Sequence, residues 1–240
     1  MDQPEVKQHS LLQSITYHLL PGILIGVFYF LLRRPIENLG YPSVMSLILA
    51  IIFILIPFEL GFLFYQGKKM NGSYSLKGII SYTNPIPWWQ LVLWVVLVFI
   101  FTGLIFTFLK PLELFFQSKL FFWIPPLNSG LNGEYSKQIL IFTYVMFFFF
   151  VALLGPFVEE LYFRGYLLPR VKGNFSPLLH SFLFAAYHVF TPWMIITRTI
   201  GLVPLIYAVR RKNIYVGIIV HILLNTIDVV IGIIFIVNIK

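Results

Sequence analysis

Apolar runs that are long enough to cross a membrane recur along this chain. The first extends from Ile15 to Leu32, the second from Val44 to Tyr65 and the third from Trp88 to Leu109. A helix of about 20 apolar residues spans the hydrocarbon core of a bilayer. Only 11% of the residues are charged, whereas a soluble domain has about 25%. We therefore predict an all-α polytopic membrane bundle in which residues 1–240 form a single integral domain.

Further apolar runs complete the set in the second half of the chain. They cover residues 138–154, 177–190, 195–209 and 215–237. Before them, residues 110–137 contain several prolines and glycines, which indicates an interfacial segment followed by a loop. The sequence thus predicts about seven transmembrane helices.

The basic residues lie at the ends of the apolar runs and not along one amphipathic face, although the net charge is +8. This distribution favours anchoring at the membrane surface over nucleic-acid binding. In a chain with seven spans, alternating loops place one group of basic residues on the first side: Lys7, Lys68, Lys69, Lys77, Arg170, Lys172, Arg210, Arg211 and Lys212. The other side receives Arg33, Arg34, Lys110, Lys119, Lys137 and Lys240. The first side is the predicted cytoplasmic side.

One apolar stretch contains three ionisable side chains within six residues: Glu159, Glu160 and Arg164. Each charge at the centre of a membrane helix costs roughly 2.5 to 3.5 kcal/mol, so the stretch predicts an internal polar cavity. Residues four apart share a helix face, and we expect Glu160 to pair with Arg164. Glu159 points away from this pair. Since a buried carboxylate without a cation exchanges protons nearer neutrality, Glu159 is the candidate general base.

Two more polar patterns follow at the same four-residue spacing. Phe184 and His188 form the first pair, and His221 and Asn225 form the second within the last apolar run. A histidine can orient a water or share its protons, and imidazole and amide N–H groups can donate hydrogen bonds to an oxyanion. The three patterns together predict a carboxylate-activated water facing hydrogen-bond donors, as peptide hydrolysis requires.

The order of these patterns on successive membrane helices resembles a known family. Glu-Glu-x-x-x-Arg, Phe-x-x-x-His and His-x-x-x-Asn are similar to the motifs of the CAAX protease and bacteriocin-processing family (CPBP, or Abi), which includes the type II CAAX prenyl endopeptidases. The resemblance covers roughly residues 139–237, and the region 138–237 carries all three motifs. It implies an intramembrane endopeptidase that cleaves near a membrane-anchored, in the CAAX case prenylated, end of a peptide or protein substrate.

The resemblance also implies a role for each motif residue. Water activation falls to Glu159 and His188, and oxyanion binding falls to His221 and Asn225. The ion pair of Glu160 would maintain the site.

No cofactor is expected, and a zinc site is the alternative. Glutamate and histidine bind zinc, and Glu159, His188 and His221 could supply a catalytic site with three ligands. The chain contains no cysteine and no His-Glu-x-x-His sequence. These absences favour a glutamate-activated water over a zinc-dependent metalloendopeptidase.

Three residues are weaker candidates. Phe184 is expected to pack against the site or to contact substrate. Asp228 extends the helical stripe of the last motif, so we expect it to orient His221 or to pair with Arg198. Glu59, inside the second apolar run, is expected to pair with a basic residue on another helix in a structural role.

Two other classes compete with a protease. Intramembrane acids and histidines also mark ion pathways, so a proton-coupled transporter is one alternative, although no inverted repeat is evident. An inert immunity or binding protein is the other, and the intact motifs argue against it. The expected partners are a membrane-anchored peptide or protein and the lipid bilayer, without nucleic acid; the oligomeric state is left open. Because Arg170 and Lys172 follow the charged motif, we predict an active site toward the cytoplasmic side.

Overall fold

The computed structural model describes residues 6–173 and 176–239. Its described part is all-α, without a β-strand, which confirms the predicted class. The helices in chain order are α1 (Leu11–Asn38), α2 (Val44–Asn71), α3 (Trp88–Lys119), α4 (Lys137–Arg170), α5 (Ser176–Tyr187), α6 (Pro192–Gly201), α7 (Val203–Arg211) and α8 (Ile214–Asn238). The protein is an integral, multi-pass membrane protein.

The predicted count of seven spans is not confirmed. Five helices, α1 to α4 and α8, are long and apolar enough to cross a membrane in the described residues, and α6 with α7 makes a sixth candidate that bends by 41°. Helix α5 has 12 residues and is therefore about 18 Å long, against a hydrocarbon core of about 30 Å. The apolar run at 177–190 thus forms a helix that is too short to span a bilayer.

The boundaries of two predicted elements also differ. Helix α3 continues through Pro111 as far as Lys119, so the expected interfacial segment begins as membrane helix. Helix α4 continues through Gly155 and Pro156 instead of ending there. A wider π-helical turn over Phe148–Leu154 directly precedes this proline, which has no N–H to donate to the helix. As a result the charged motif lies inside a 34-residue helix.

Hydrogen bonds between loops define one end of the bundle, which we call the basic end. The amide of His9 donates to the carbonyl of Arg170, Ser81 donates to Gly165, and Ile214 donates to Tyr82. All nine basic residues that the sequence placed on the first side follow or flank these loops, so the shorter α5 leaves that grouping unchanged. At the opposite end, the Val44 amide donates to Asn128. Lys240 lies outside the described residues.

Close backbone contact fixes α1 against the end of α5. A Cβ atom at Gly22 would collide with the carbonyl oxygen of Tyr187, and one at Gly26 would collide with Val189. Small residues four apart are a common means of bringing membrane helices together. A second contact joins the same helices, because His18 Nε2 lies 2.8 Å from His180 Nδ1 in the buried interior. Helix α1 therefore supports the chain on both sides of the Phe184–His188 motif.

Capping fixes the start of the last helix. The side chain of Asn213 accepts a hydrogen bond from the amide of Tyr215 at 2.7 Å and also donates to the carbonyl of Asn84. Asparagine is among the best residues at this position because its oxygen satisfies an orphan N–H of the first turn. The cap sets the position of α8, and with it the position of the motif about two to three turns further on.

Candidate active site

A cavity of about 580 Å³ lies within the bundle. Glu159, His188, His221 and Asn225 all border it, so the three sequence motifs do converge. Apolar side chains of α1 to α4 form much of the remaining wall. The cavity extends from the motif residues toward the end opposite the basic end, where Ser129, Leu131 and Tyr144 line it.

Glu160 lies behind the cavity wall in a buried ionic network. Its Oε1 is 3.4 Å from Nη1 of Arg164, which is the predicted pair, and both side chains are 0% exposed. The same Oε1 is 3.0 Å from Nδ1 of His221 on α8. A buried carboxylate is tolerated only when cations and hydrogen bonds surround it. Glu160 therefore joins α4 to α8 and fixes one edge of the His221 ring.

Glu159 faces the cavity side of the same helix. Its Oε2 lies 3.7 Å from Nε2 of His221, which is too long for a hydrogen bond but close enough for charge interaction. The hydroxyl of Tyr187 also faces this carboxylate. The two adjacent glutamates thus have different neighbours, Arg164 beside Glu160 and Tyr187 beside Glu159. Among the described residues, His221 is the one side chain within ion-pair distance of both glutamates.

The tautomer of His188 follows from its backbone contact. Nδ1 of His188 lies 3.0 Å from the carbonyl oxygen of Phe184. A carbonyl oxygen only accepts, so Nδ1 carries the hydrogen and Nε2 of the neutral ring has a free lone pair. Because His188 directly follows the end of α5, this bond holds the ring against the last turn of that helix. Its other nitrogen remains available to a ligand in the cavity.

Phe184 separates the ionic network from the cavity. Its ring lies 3.8 Å from the guanidinium carbon of Arg164, in a cation–π contact, and it also borders the cavity. A cation–π contact stabilises a fully buried guanidinium more than an exposed one, because the buried group is desolvated. The packing role expected for Phe184 is present, and the ring also lies where a substrate could touch it.

Asn225 is held by a carbonyl group in the π-helical turn of α4. Its Nδ2 donates to the carbonyl oxygen of Val151 at 2.9 Å. An amide nitrogen carries two hydrogens, so one remains for a second acceptor. Residue spacing contains no sign of Val151 as a partner, since any backbone carbonyl can accept this hydrogen bond.

Two acids outside the motifs behave differently from expectation. Asp228 borders the cavity, but the described residues show neither a hydrogen bond nor an ion pair between it and His221 or Arg198. Arg198 instead donates to the hydroxyl of Thr191 at 2.7 Å. The basic partner expected for Glu59 was wrong, because its carboxylate pairs with the hydroxyl of Tyr187 at 2.8 Å.

The described residues contain no preformed cluster for the zinc alternative. Among residues 6–173 and 176–239, no three histidine, aspartate or glutamate side chains converge closely enough to bind one metal ion. His188 and His221 each place Nδ1 against a hydrogen-bond partner, a backbone carbonyl and Glu160 respectively, so their Nε2 atoms would be the ones to bind a metal. Chelation therefore distinguishes the glutamate-activated water from the zinc alternative.

One glutamate, two histidines and an asparagine thus border one cavity in a membrane bundle, with a second glutamate behind its wall. Residues 141–227, just over a third of the chain, match the family of Rce1-like type II CAAX prenyl endopeptidases. This match contains all three motifs and confirms the resemblance that they indicated. This match supports, in general terms, a CAAX-type intramembrane endopeptidase. Searches of curated proteins and of solved structures gave no significant match.

Proposed function

We propose that this protein hydrolyses a peptide bond near the membrane-anchored end of a peptide or protein. The observation that carries the proposal is that Glu159 and the free Nε2 of His188 border the same cavity, while the rest of each side chain is held by the fold. A water between them would donate one hydrogen bond to Glu159, which takes that proton as the water attacks. Its second hydrogen would point at Nε2 of His188, which fixes the orientation of the water. General-base catalysis of this kind contributes about 10² to 10⁴ in rate.

The oxyanion would form opposite the attacking water. Asn225 has one amide hydrogen left for it after its bond to Val151. His221 can donate from Nε2 when its ring is protonated, since Nδ1 is already placed 3.0 Å from Oε1 of Glu160. After attack, Glu159 passes its proton to the leaving amine, the C–N bond breaks, and the carboxyl and amino products separate.

The cavity supports a substrate that reaches the site from within the membrane. Its walls are largely apolar, and it extends from the motif residues toward the end opposite the basic end. An apolar cavity suits the side chains or lipid of an anchored segment, because burying them releases water. A soluble peptide without an anchor would gain less from these walls and should bind more weakly.

The central experiment is a cleavage assay with protein reconstituted in lipid nanodiscs. A prenylated or otherwise membrane-anchored peptide is incubated with wild type, Glu159→Gln and His188→Ala, and products are identified by mass spectrometry. Glu134→Gln and His9→Ala, which change an exposed loop acid and a histidine away from the cavity, serve as matched controls. We expect cleavage by wild type and both controls, and at least about a hundredfold loss in the two site variants.

Cleavage that persists in both site variants would reject the assigned mechanism. A wild type that binds the peptide without cleaving it would favour an inert binding protein. Thorough chelation with a strong chelator is run on the same samples. Activity that survives chelation is the expected result, and a loss that Zn²⁺ restores would support the metalloendopeptidase instead.

We further propose that the basic end faces the cytoplasm, with the site toward that side. Glu159 lies 11 residues, or about 16 Å, along α4 from Arg170 and twice as far from Lys137. Since the chain has no cysteine, Lys172→Cys and Lys119→Cys each introduce one labelling site. In intact cells, an impermeant maleimide should label Lys119→Cys and leave Lys172→Cys unlabelled until the cells are opened. The reverse pattern would invert the orientation.

A further inference from the structure

Glu59 is a third buried carboxyl group beside the candidate site. It lies on α2, is 0% exposed, and places Oε1 2.8 Å from the hydroxyl of Tyr187. Its Oε2 is buried and has no hydrogen-bond partner. No lysine, arginine or histidine among the described residues lies within ion-pair distance of it. An ionised carboxylate in such surroundings would cost several kcal/mol.

The groups that face Glu59 come from two helices. Helix α4 presents Glu159, Tyr162 and Arg164, and α5 presents Tyr187. The hydroxyl of Tyr187 is hydrogen-bonded to Glu59, and Tyr187 also lies beside Glu159, with which it borders the cavity. One tyrosine therefore lies between a catalytic carboxylate and a carboxyl group to which the proposed reaction assigns no part.

Charge balance indicates which acid holds a proton. Among the described residues, two groups that can be cationic lie within ion-pair distance of the three carboxyl groups of this cluster, Arg164 and His221. Both lie close to Glu160, at 3.4 and 3.0 Å, and His221 also lies 3.7 Å from Glu159. Glu59 is the acid without such a partner at ion-pair distance. Neutrality in this buried space is reached when Glu59 keeps its proton.

The hydroxyl of Tyr187 has one hydrogen, which it can donate to only one of its two neighbours. If Glu59 is protonated, it donates to the tyrosine oxygen, and the tyrosine hydrogen is free to point at Glu159. The separation of 2.8 Å suits this direction as well as the reverse one. We propose that Glu59 is a protonated positioning residue, which directs the hydroxyl of Tyr187 onto the base Glu159. This inference rests on the role proposed for Glu159 in hydrolysis.

The proton on Glu59 can be tested without any substrate. Infrared spectra of wild type and Glu59→Gln in detergent at neutral pH are subtracted, with Glu134→Gln as the exposed-acid control. We expect a band of a protonated carboxyl group that is present in wild type and in the control and absent from Glu59→Gln. A difference spectrum that shows only the loss of an ionised carboxylate would overturn the inference.

The kinetic test uses the nanodisc assay and a graded series of substitutions. Glu59→Leu removes the donor to Tyr187, and Tyr187→Phe removes the hydroxyl itself. Each should lower kcat about tenfold or more with little change in KM. This is the effect expected from the loss of one hydrogen bond to a charged group. The two changes combined should cost no more than Tyr187→Phe alone. Tyr162→Phe, which removes a buried hydroxyl that bonds to the carbonyl of Tyr17, is the matched control.

Rescue by the conservative variant separates this role from a merely structural one. The amide of Glu59→Gln donates to Tyr187 as the protonated acid does, so its kcat should return to within about threefold of wild type. A Glu59→Gln rate as low as that of Glu59→Leu would overturn the inference. A wild type that cleaves no peptide would refute the proposed function, while the infrared result would still decide the state of Glu59.

Discussion

Two neighbouring glutamates of α4 lie in contrasting surroundings. Glu160 belongs to a closed ionic region with Arg164 and the Nδ1 edge of His221, sealed from the cavity by Phe184. Glu159 belongs to an open region that borders the cavity, with Tyr187 as its neighbour. One peptide bond separates the two residues, and about 100 degrees of helix rotation separates their side chains. The contrast shows how a single helix can supply both a structural ion pair and a reactive carboxylate.

The closed region should govern stability, and its largest effect is expected from Arg164→Met. This change keeps much of the side-chain volume but leaves the buried Glu160 without its arginine. Breaking a buried ion pair by removing one partner destabilises by about 3 to 5 kcal/mol. Unfolding in detergent, followed by thermal shift, should show a clear loss, whereas Arg33→Met, at the partly exposed pair with Glu37, should cost about 1 kcal/mol or less. Equal stability of the two variants would break the comparison.

The open region should govern rate, and Asn225→Ala tests its donor side. Loss of one oxyanion donor costs about 10² to 10³ in kcat. The thermal transition should fall only slightly, because a single hydrogen bond to Val151 is lost. Asn238→Ala, on the same helix but facing away from the cavity, is the control for helix α8. A variant that loses stability and keeps its kcat would place Asn225 in the closed region instead.

Gly217→Ala, followed by thermal shift and by the cleavage assay, tests how tightly α8 packs against the closed region. A Cβ atom there would lie 2.6 Å from Oε2 of Glu160 and 2.8 Å from a Val209 methyl. Overpacking of this kind costs about 1 to 3 kcal/mol, and displacement of Glu160 should also lower activity through His221. Gly61→Ala on α2 meets no atom within 4 Å and is the matched control. That control should be neutral or slightly stabilising, since alanine favours helix.

The smallest effect is expected at the seal between the two regions. Phe184→Leu removes the ring over Arg164 and leaves a branched aliphatic side chain in its place. A desolvated cation–π contact contributes about 0.5 to 2 kcal/mol, so a modest fall in thermal stability should accompany a small change in KM. Phe182→Leu, an exposed position on the same helix, should change neither quantity. A large loss of kcat in Phe184→Leu would indicate that the ring does more than separate the regions.

Much of the site could be predicted because its information is local. The spacing of Glu160 and Arg164 predicts their pairing, and four-residue spacing within each later motif predicts a shared face. Hydropathy does not distinguish a membrane-spanning helix from a short helix buried in the bundle, and the run at 177–190 was therefore predicted to span the membrane. Length decides that question in the structure, where α5 ends at Tyr187.

Contacts between distant helices were beyond the reach of spacing. The approach of His221 to Glu160, the bond from Asn225 to Val151 and the bond of Glu59 to Tyr187 depend on which helix faces meet. Tyr187 nevertheless left a signal, since it directly precedes His188 in a motif. A polar side chain beside a motif residue on a buried helix turn needs a partner, and that reasoning would have directed attention to Glu59.

The glycines of α1 make the motif-bearing half dependent on the other half. Gly22 receives the backbone at Tyr187, and Gly26 receives the side chain of Val189, so closely that a single added carbon would collide. The segment 141–227 by itself therefore lacks the surface of α1 against which its residues Tyr187 and Val189 pack. Grafting it onto another set of membrane helices would transfer every motif residue and still misplace His188, unless the new first helix offered the same flat, side-chain-free surface.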